Sequence, residues 1–470
     1  MSTYNMLELT LNEILRIINP SWEDRERRVH VIDEFRAVVN TVESLRGATV
    51  EPFGSFLSNL FTRWGDLDIS IELSNGSYIS SVGKKQKQTL LRDVLKALRK
   101  RGGLRSLQFV HNARVPILKF ESNFYNISCD ISINNLCGQM KSKFLSWISR
   151  IDARFRDMVL LVKEWAKAQD INNSKTGTFN SYSLCLLVVF HFQTCIPAIL
   201  PPLKDLYPGN IAGELTGVRA SVERRIEEVC AANISKFIKQ RTVNQSSLTE
   251  LFISFLLKFS DIDKRAADQG ICPYMGQWED ISSNMRWLPK TYAVFIEDPF
   301  EQPENTARAV SKGQLTRISE VFKTTFHGLI TPNLNRNSLI STLLRPQISQ
   351  SLLGDSARNS NSYVGSYPKT NANVHRSVHL PSQVQPQFFQ PKTPTSSHNN
   401  VAMASWMSGQ VSEEQSIRRV IPMQPPRQSP MTASTSQPKK ESWPRVVPAT
   451  QGQGRGQQLW RPKYYEASDR

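Results

Sequence analysis

Cysteine is scarce in this chain. Its 470 residues hold six, at positions 129, 137, 185, 195, 230 and 272. No two have CxxC spacing, and no Cys/His set falls at zinc-ligand spacing. A disulfide scaffold and a zinc-finger module are both excluded, and a reducing compartment is expected. The opening stretch, MSTYNMLELTLNEILRI, mixes acids with its apolar residues and is not a signal peptide. Long hydrophobic runs are missing too. The most apolar one, Leu184–Leu200, contains His191, Gln193 and Pro197, so it reads as a buried helix and not as a membrane span. There is no internal repeat. Acidic charge is in deficit, with 41 Asp plus Glu against 58 Lys plus Arg, a net of +17. That excess favours a polyanionic partner: nucleic acid, a nucleotide or an acidic membrane surface.

The composition breaks near residue 345. Residues 345–470 hold 14 of the 26 prolines and carry 15 Lys and Arg against 6 Asp and Glu. Such a segment cannot bury enough apolar surface to offset its chain entropy, and it reads as a disordered basic tail. Upstream, Ile32, Phe35, Val39 and Val42 recur at helical spacing, and Ser21 with Asp24 three residues on forms a helix start. Residues 67–73 (LDISIEL) alternate as a half-buried strand does. A basic helix is expected from about 87 to 101, ended by Gly102 and Gly103, then strands at Ser106–His111, Val115–Glu121 and Tyr125–Ile133. From 142 onward the pattern is helical. The fold class is α+β: a small mixed-sheet unit embedded in a helical body.

Chemistry concentrates in GSFLSNLFTRWGDLDIS (54–70). Asp66 and Asp68 are two apart at a strand, so both carboxylates leave one face. Such a pair repels unless a cation lies between, and Mg²⁺ prefers oxygen ligands shared with phosphates. Gly54 and Ser55 precede a short helix, an arrangement that lets backbone N–H groups approach a phosphate. A third acid, Asp130, interrupts an apolar strand in YNISCDISI and needs a charge partner there.

A GS turn, a DxD strand and a later strand bearing the third Asp resemble the DNA polymerase β superfamily of nucleotidyltransferases. Two further segments narrow the resemblance. MVLLVKEWAKAQDINNSKTGTFNSYSLCLLVVFHFQ (158–193) and YAVFIEDPFEQPENTAR (292–308) are similar to the central-domain and poly(A)-polymerase-associated motifs of terminal uridylyltransferases. Within that family the likeness is to the plant enzymes that tail small RNAs left without their 3′-terminal methyl group. The resemblance covers about residues 1–330. It implies a polymerase-β-like palm at 49–141, a helical poly(A)-polymerase-like central domain at 142–335, N-terminal helices (1–48) packing with that central domain, and the tail at 345–470. It further implies that Asp66, Asp68 and Asp130 are the catalytic residues and the ligands of a two-metal site taking Mg²⁺ or Mn²⁺. Gly54 and Ser55 would line the triphosphate.

Lys163 and Lys167, at i and i+4 on one helix, share a face; alone the pair reads as a solvated basic patch, and the family motif assigns it to a triphosphate. By the same motif Ser181 reaches the γ-phosphate, Tyr182 stacks on the base, and Asp298 orients the EDPF segment. Three positions depart from the family pattern. Gly65 stands where a Ser usually precedes the DxD. Lys141 and Ser142 replace an Asn-Thr pair at the ribose. Glu304 replaces a His that would donate to uracil O4, and a carboxylate there can accept from uracil or from adenine, so the pocket alone leaves the base open. The activity implied is template-independent addition of UMP from UTP to RNA 3′ ends, marking the RNA for degradation. The alternatives are poly(A) addition, or a non-catalytic RNA- or Argonaute-binding adaptor. The partners implied are small RNAs, cleaved mRNA fragments, UTP and, through Trp406, Trp443 and Trp460 of the tail, Argonaute; no membrane is implied. Residence is expected in nucleus and cytoplasm, including RNA-processing bodies.

Overall fold

The computed structural model describes residues 3–73, 77–79, 82–288, 292–331, 335–350 and 352. The chain opens with α1 (Thr3–Ile18) and α2 (Trp22–Val39). There follow β1 (Thr49–Phe53), the one-turn α3 (Gly54–Leu57), β2 (Leu67–Glu72), β3 (Tyr78–Ile79), α4 (Lys84–Arg101), β4 (Leu104–Val110), β5 (Ile117–Ser122) and β6 (Ser128–Ile133). The helical part comprises α5 (Leu136–Ser149), α6 (Ala153–Ala168), α7 (Ser181–Gln193), α8 (Leu203–Leu206) and α9 (Ile211–Glu214). It continues through β7 (Gly217–Val218), α10 (Arg219–Gln240), α11 (Leu248–Lys258), α12 (Ile262–Arg265), the β8–β9 ribbon (Gln269–Cys272, Gln277–Asp280), α13 (Lys312–Leu329) and α14 (Arg336–Leu343).

Five strands form one mixed sheet in the order β1-β2-β6-β5-β4. Only β2 and β6 run parallel; the other pairings are antiparallel. Alternation along β2 and β6 sorts the two faces. Leu67, Ile69, Ile71, Cys129, Ile131 and Ile133 join the apolar core that α2 and α4 complete. Asp68, Ser70, Glu72, Asp130 and Ser132 fall on the opposite face. There Glu72 accepts from Ser70 Oγ at 2.5 Å and from Gln139 Nε2 of α5 at 2.7 Å, and Arg219 of α10 lies 3.5 Å away. This buried polar cluster fastens the sheet to the helical body.

Ser21 caps α2 as its spacing implies. Asp24 N–H donates to Ser21 Oγ at 3.2 Å, and Ser21 N–H donates to Asp24 Oδ2 at 2.9 Å. The two N-terminal helices do not share one destination, however. Leu7, Leu11, Ile14 and Ile18 of α1 enter the core of the helical body. Val31, Ile32, Phe35 and Val39 of α2 enter the core under the sheet. Assigning 1–48 wholly to the central domain is therefore corrected: α2 is part of the palm, because its stripe is the apolar cover that β1 and β2 require.

The boundary at 345 moves as well. Leu344 and Ile348 are buried, residues 346–350 are helical, and the Arg345 guanidinium donates to both carboxylate oxygens of Glu164, at 2.8 and 2.9 Å. Glu164 is 0% exposed. Residues 345–350 thus seal α6, the helix that carries Lys163 and Lys167, and they are not tail. The rest of the segment read as tail, 353–470 with Trp406, Trp443 and Trp460, lies outside the described residues.

Removing one partner of a buried ion pair strands the other and costs ~3–5 kcal/mol. Arg345→Ala should therefore lower the melting temperature, and adding Glu164→Gln should recover part of the loss. A chain ending at residue 352 should melt with the full-length protein, and a chain ending at 344 several degrees lower. Equal melting of the two truncated chains would refute this account of Arg345.

Candidate active site

Register places the acids. Asp68 on β2 is the direct Cα partner of Asp130 on β6, so the two carboxylates leave neighbouring strands on the same face. Asp66 precedes them at the mouth of β2. Burial and repulsion from Asp130, then Asp66, push Asp68 up to about 7. Loss of surrounding water and the same repulsion raise Asp66. Among the described residues no group of three or more His, Cys, Asp or Glu side chains is arranged to hold a metal ion. Lys119, facing Asp130 across the β5–β6 ladder, carries its ammonium onto the Asp130 carboxylate. The donor set still fits a hard divalent cation with open positions: three carboxylates line one cleft, and their mutual repulsion calls for a cation.

Gly54 follows from Asp68. Its φ is +65°, and a Cβ built on it would stand 1.9 Å from Asp68 Oδ2. No other residue lets the turn pass so close to that carboxylate. The Gly54 N–H donates to Ser142 Oγ at 2.7 Å, and Ser142 in turn donates to the Gly138 carbonyl at 2.7 Å. Ser142, expected at the ribose, thus positions the phosphate turn from behind. Beneath the DxD, buried Arg28 donates to the Arg63 and Gly65 carbonyls at 3.0 and 2.7 Å. Gly65 closes a tight turn onto Thr62 at 2.8 Å. A Cβ there would meet the Thr62 carbonyl at 3.1 Å, so the departure from Ser matches the packing.

A cleft of ≈ 550 Å³ gathers most of the expected residues: Gly54, Ser55, Asp66, Asp68, Asp130, Lys163, Lys167, Ser181 and Tyr182, with Lys141 and Ser142. That volume suits a nucleotide. Lys163 is buried, and its Nζ donates to the Leu60 carbonyl at 2.9 Å. Burial and the like charge of Lys167 push it down to about 8. Lys167 is lowered by burial and by Arg345. Ser181 opens α7 beside the N-cap Asn180 and exchanges hydrogen bonds with the Asn172 amide at 3.2 and 3.3 Å. Asn172, Asn173 and Lys175 also line the cleft.

Two expected residues stand behind the cleft wall. The buried Asp298 carboxylate accepts from Tyr182 Oη at 3.3 Å, from the Phe300 and Glu301 N–H groups at 3.0 and 3.3 Å, and from the Lys141 ammonium. It orients Tyr182 and does not line the cavity. Glu304 does not face the base cavity either. It is 45% exposed and pairs with Arg308 at 3.2 Å and Arg114 at 3.8 Å. Its neighbour Asn305 turns inward and accepts from the Ile296 N–H at 3.0 Å, and this directs Glu304 outward. The expectation that Glu304 reads the base edge is corrected on that ground.

Lys119, Arg28 and Arg345 escaped the sequence reading. Lys119 was findable, since the strand register that makes Asp130 inward puts Lys119 beside it. Arg28 and Arg345 act across 35 and 181 residues of chain and leave no local signal.

Residues 7–150 match the family described as poly(A) RNA polymerase, mitochondrial-like, central palm domain. The chain is 60% identical over 354 residues to Protein HESO1 of Arabidopsis thaliana, covering 75% of this chain and 69% of that protein. It belongs to the terminal uridylyltransferases of the DNA polymerase β superfamily. It is accordingly an RNA nucleotidyltransferase, with the palm and helical body of that family. Poly(A) RNA polymerase GLD2 of Bos taurus is 28% identical over 62% of this chain, which spans just over half of that protein, at 57%. The fold is also that of a cytoplasmic RNA terminal U-transferase of known structure, with a TM-score of 0.57 and 24% identity over 73% of this chain and 99% of that one.

Two outcomes check the site of this uridylyltransferase. The Lys163 ammonium is present below pH of about 8 and is lost as pH rises through that value. UTP affinity of the free enzyme should fall several-fold between roughly pH 7 and 9, and Lys163→Gln should flatten that profile, as read by equilibrium binding. Glu304→Ala should leave the UTP:ATP ratio of kcat/KM within about twofold, the scale of an exposed ion pair. A larger change would return Glu304 to the pocket.

Proposed function

We propose that this chain extends the 3′ ends of small RNAs lacking a 2′-O-methyl group with uridylate from UTP, marking them for decay. The observation that carries the reading is one cleft lined by three carboxylates, a glycine turn pressed against one of them, two lysines and Tyr182. A retained fold without activity would have no need of Gly54 at that contact. In the reaction the RNA 3′-hydroxyl oxygen bonds to the α-phosphorus as the bridge to the β-phosphate breaks, and pyrophosphate leaves. Lys163, Lys167 and Ser181 hold the triphosphate, Tyr182 supports the base, and the Ser142-braced turn presents the Gly54–Ser55 backbone to the phosphates. Mg²⁺ or Mn²⁺ bound by Asp66, Asp68 and Asp130 would supply charge neutralisation at the phosphates. We place the enzyme in nucleus and cytoplasm, with cleaved mRNA fragments as further substrates and Argonaute as a partner of the tail; the basic residues of the tail suit phosphate contacts.

Purified protein, a labelled single-stranded RNA and each nucleotide separately supply the test. UTP should give the longest ladder. Asp66→Asn or Asp130→Asn should reduce extension by at least about a hundredfold while the fold persists, as loss of an electrostatic catalytic group does. RNA with a 2′-O-methyl on its last ribose should be extended poorly. Equal extension of methylated and unmethylated RNA, or a longer ladder with ATP, would overturn the reading.

A further inference from the structure

Lys141 occupies an unusual place on the cleft wall. It projects from α5 into the cavity beside Tyr182, with its ammonium 5.3 Å from the centre of the Tyr182 ring. Asp298 and Glu301 both accept from that ammonium. Arg114, on the loop between β4 and β5, donates to the Glu301 carboxylate at 3.3 and 3.4 Å. The result is an alternating row of charges, Arg114–Glu301–Lys141–Asp298, that ends on the Tyr182 hydroxyl. The row holds Lys141 in one position and the Tyr182 ring in one plane.

The hydrogen-bond inventory around Tyr182 then decides what can read a base. Glu304 faces Arg308 and Arg114 outside the cleft. Asp298 stands behind the cleft wall, with three of its four donors on Oδ1 and the Lys141 ammonium on Oδ2. The Tyr182 hydroxyl gives its hydrogen to Asp298 and so cannot donate to a base. An ammonium has three N–H groups and no acceptor, and two of the three go to Asp298 and Glu301. The third remains for a ligand in the cavity that Lys141 lines. That ammonium lies over the face of the Tyr182 ring, so a base entering beside the ring would meet it.

We propose that Lys141 is the specificity-determining residue of this enzyme, donating its third N–H to a carbonyl oxygen of the uracil ring. Uracil offers two such oxygens. Adenine offers none, and its amino group turns a donor toward a cation. The charge row makes the donor pre-positioned and obligatorily charged, so that the selection is electrostatic as well as geometric. This proposal rests on the uridylyltransferase reading, and it assigns to Lys141 the choice that the sequence motif had assigned to position 304.

The test measures kcat/KM for UTP, ATP, 2-thio-UTP and 4-thio-UTP in the wild-type protein, Lys141→Met and Lys141→Arg. A hydrogen bond from a charged donor supports a preference on the order of tenfold or more. In Lys141→Met the UTP:ATP ratio should drop by about that factor, and Lys141→Arg, which keeps a charged donor, should recover much of it. In the wild type one of the two thio analogues, whose sulfur is a poor acceptor, should be used several-fold less well than UTP, and Lys141→Met should lose that penalty. The analogue arm uses the wild-type protein and stands even where Lys141→Met folds poorly. A wild type that prefers ATP defeats the uridylyl reading itself. A wild type that prefers UTP, with an unchanged UTP:ATP ratio in Lys141→Met or no penalty for either analogue, defeats this proposal alone and leaves Lys141 as a brace for Tyr182.

Discussion

Asp68 and Asp130 face each other on the one parallel strand pair of the sheet, and the rest of the site answers to that placement. Two like charges on adjoining strands are held together only by what surrounds them. Lys119 lies on Asp130, Lys163 and Lys167 approach from α6, and the apolar residues of β2 and β6 tie the strands down from the other face. Slipping either strand by one residue would send its carboxylate into the apolar core, so the Ile and Leu positions enforce the position of these acids.

Around that pair the molecule builds braces. Ser142 holds Gly54, Arg28 holds the turn before Asp66, Asp298 holds Tyr182, and Arg345 holds the helix of the two lysines. Each is buried or half-buried, and each bonds to backbone groups, to neighbouring side chains or to both. A phosphate site needs backbone and ammonium groups aimed at fixed points, and charged groups in a cleft keep their aim only when their neighbours are satisfied. The three family positions that differ here make sense in this light: Gly65 fits a tight turn, Ser142 serves as a brace, and Lys141 joins a charge row that reaches the sheet through Arg114.

The helical body and the palm are interleaved along the chain. α1 packs in the helical core while α2 packs under the sheet, and residues 344–350 return to α6 after the last long helices. Chain beyond the last long helix therefore bears on the cleft wall through Arg345 and Lys167.

Sequence by itself determined the strands of the palm, the helical body and the face from which the β2 carboxylates leave. These follow from local periodicity, in which a two-residue alternation or a run at spacings of three and four names a face without reference to the rest of the chain. The GS turn, the Lys163–Lys167 pair and the roles of the three acids were assigned only through the resemblance of their motifs to a family. What tertiary structure decided were the partners. Periodicity says that α2 has an apolar stripe but not which core receives it, and α2 went to the sheet. It says that Glu304 follows the EDPF segment but not which way it turns, and the inward Asn305 sent it outward. It marks Lys141 and Ser142 as polar, while only the approach of Asp298, Glu301 and Gly54 from distant segments gives them their tasks. Composition placed a boundary at 345, yet one buried carboxylate, Glu164, 181 residues earlier, holds Arg345 in the fold. A charge buried without a partner is too costly to leave, and where that partner comes from is a property of the folded chain alone.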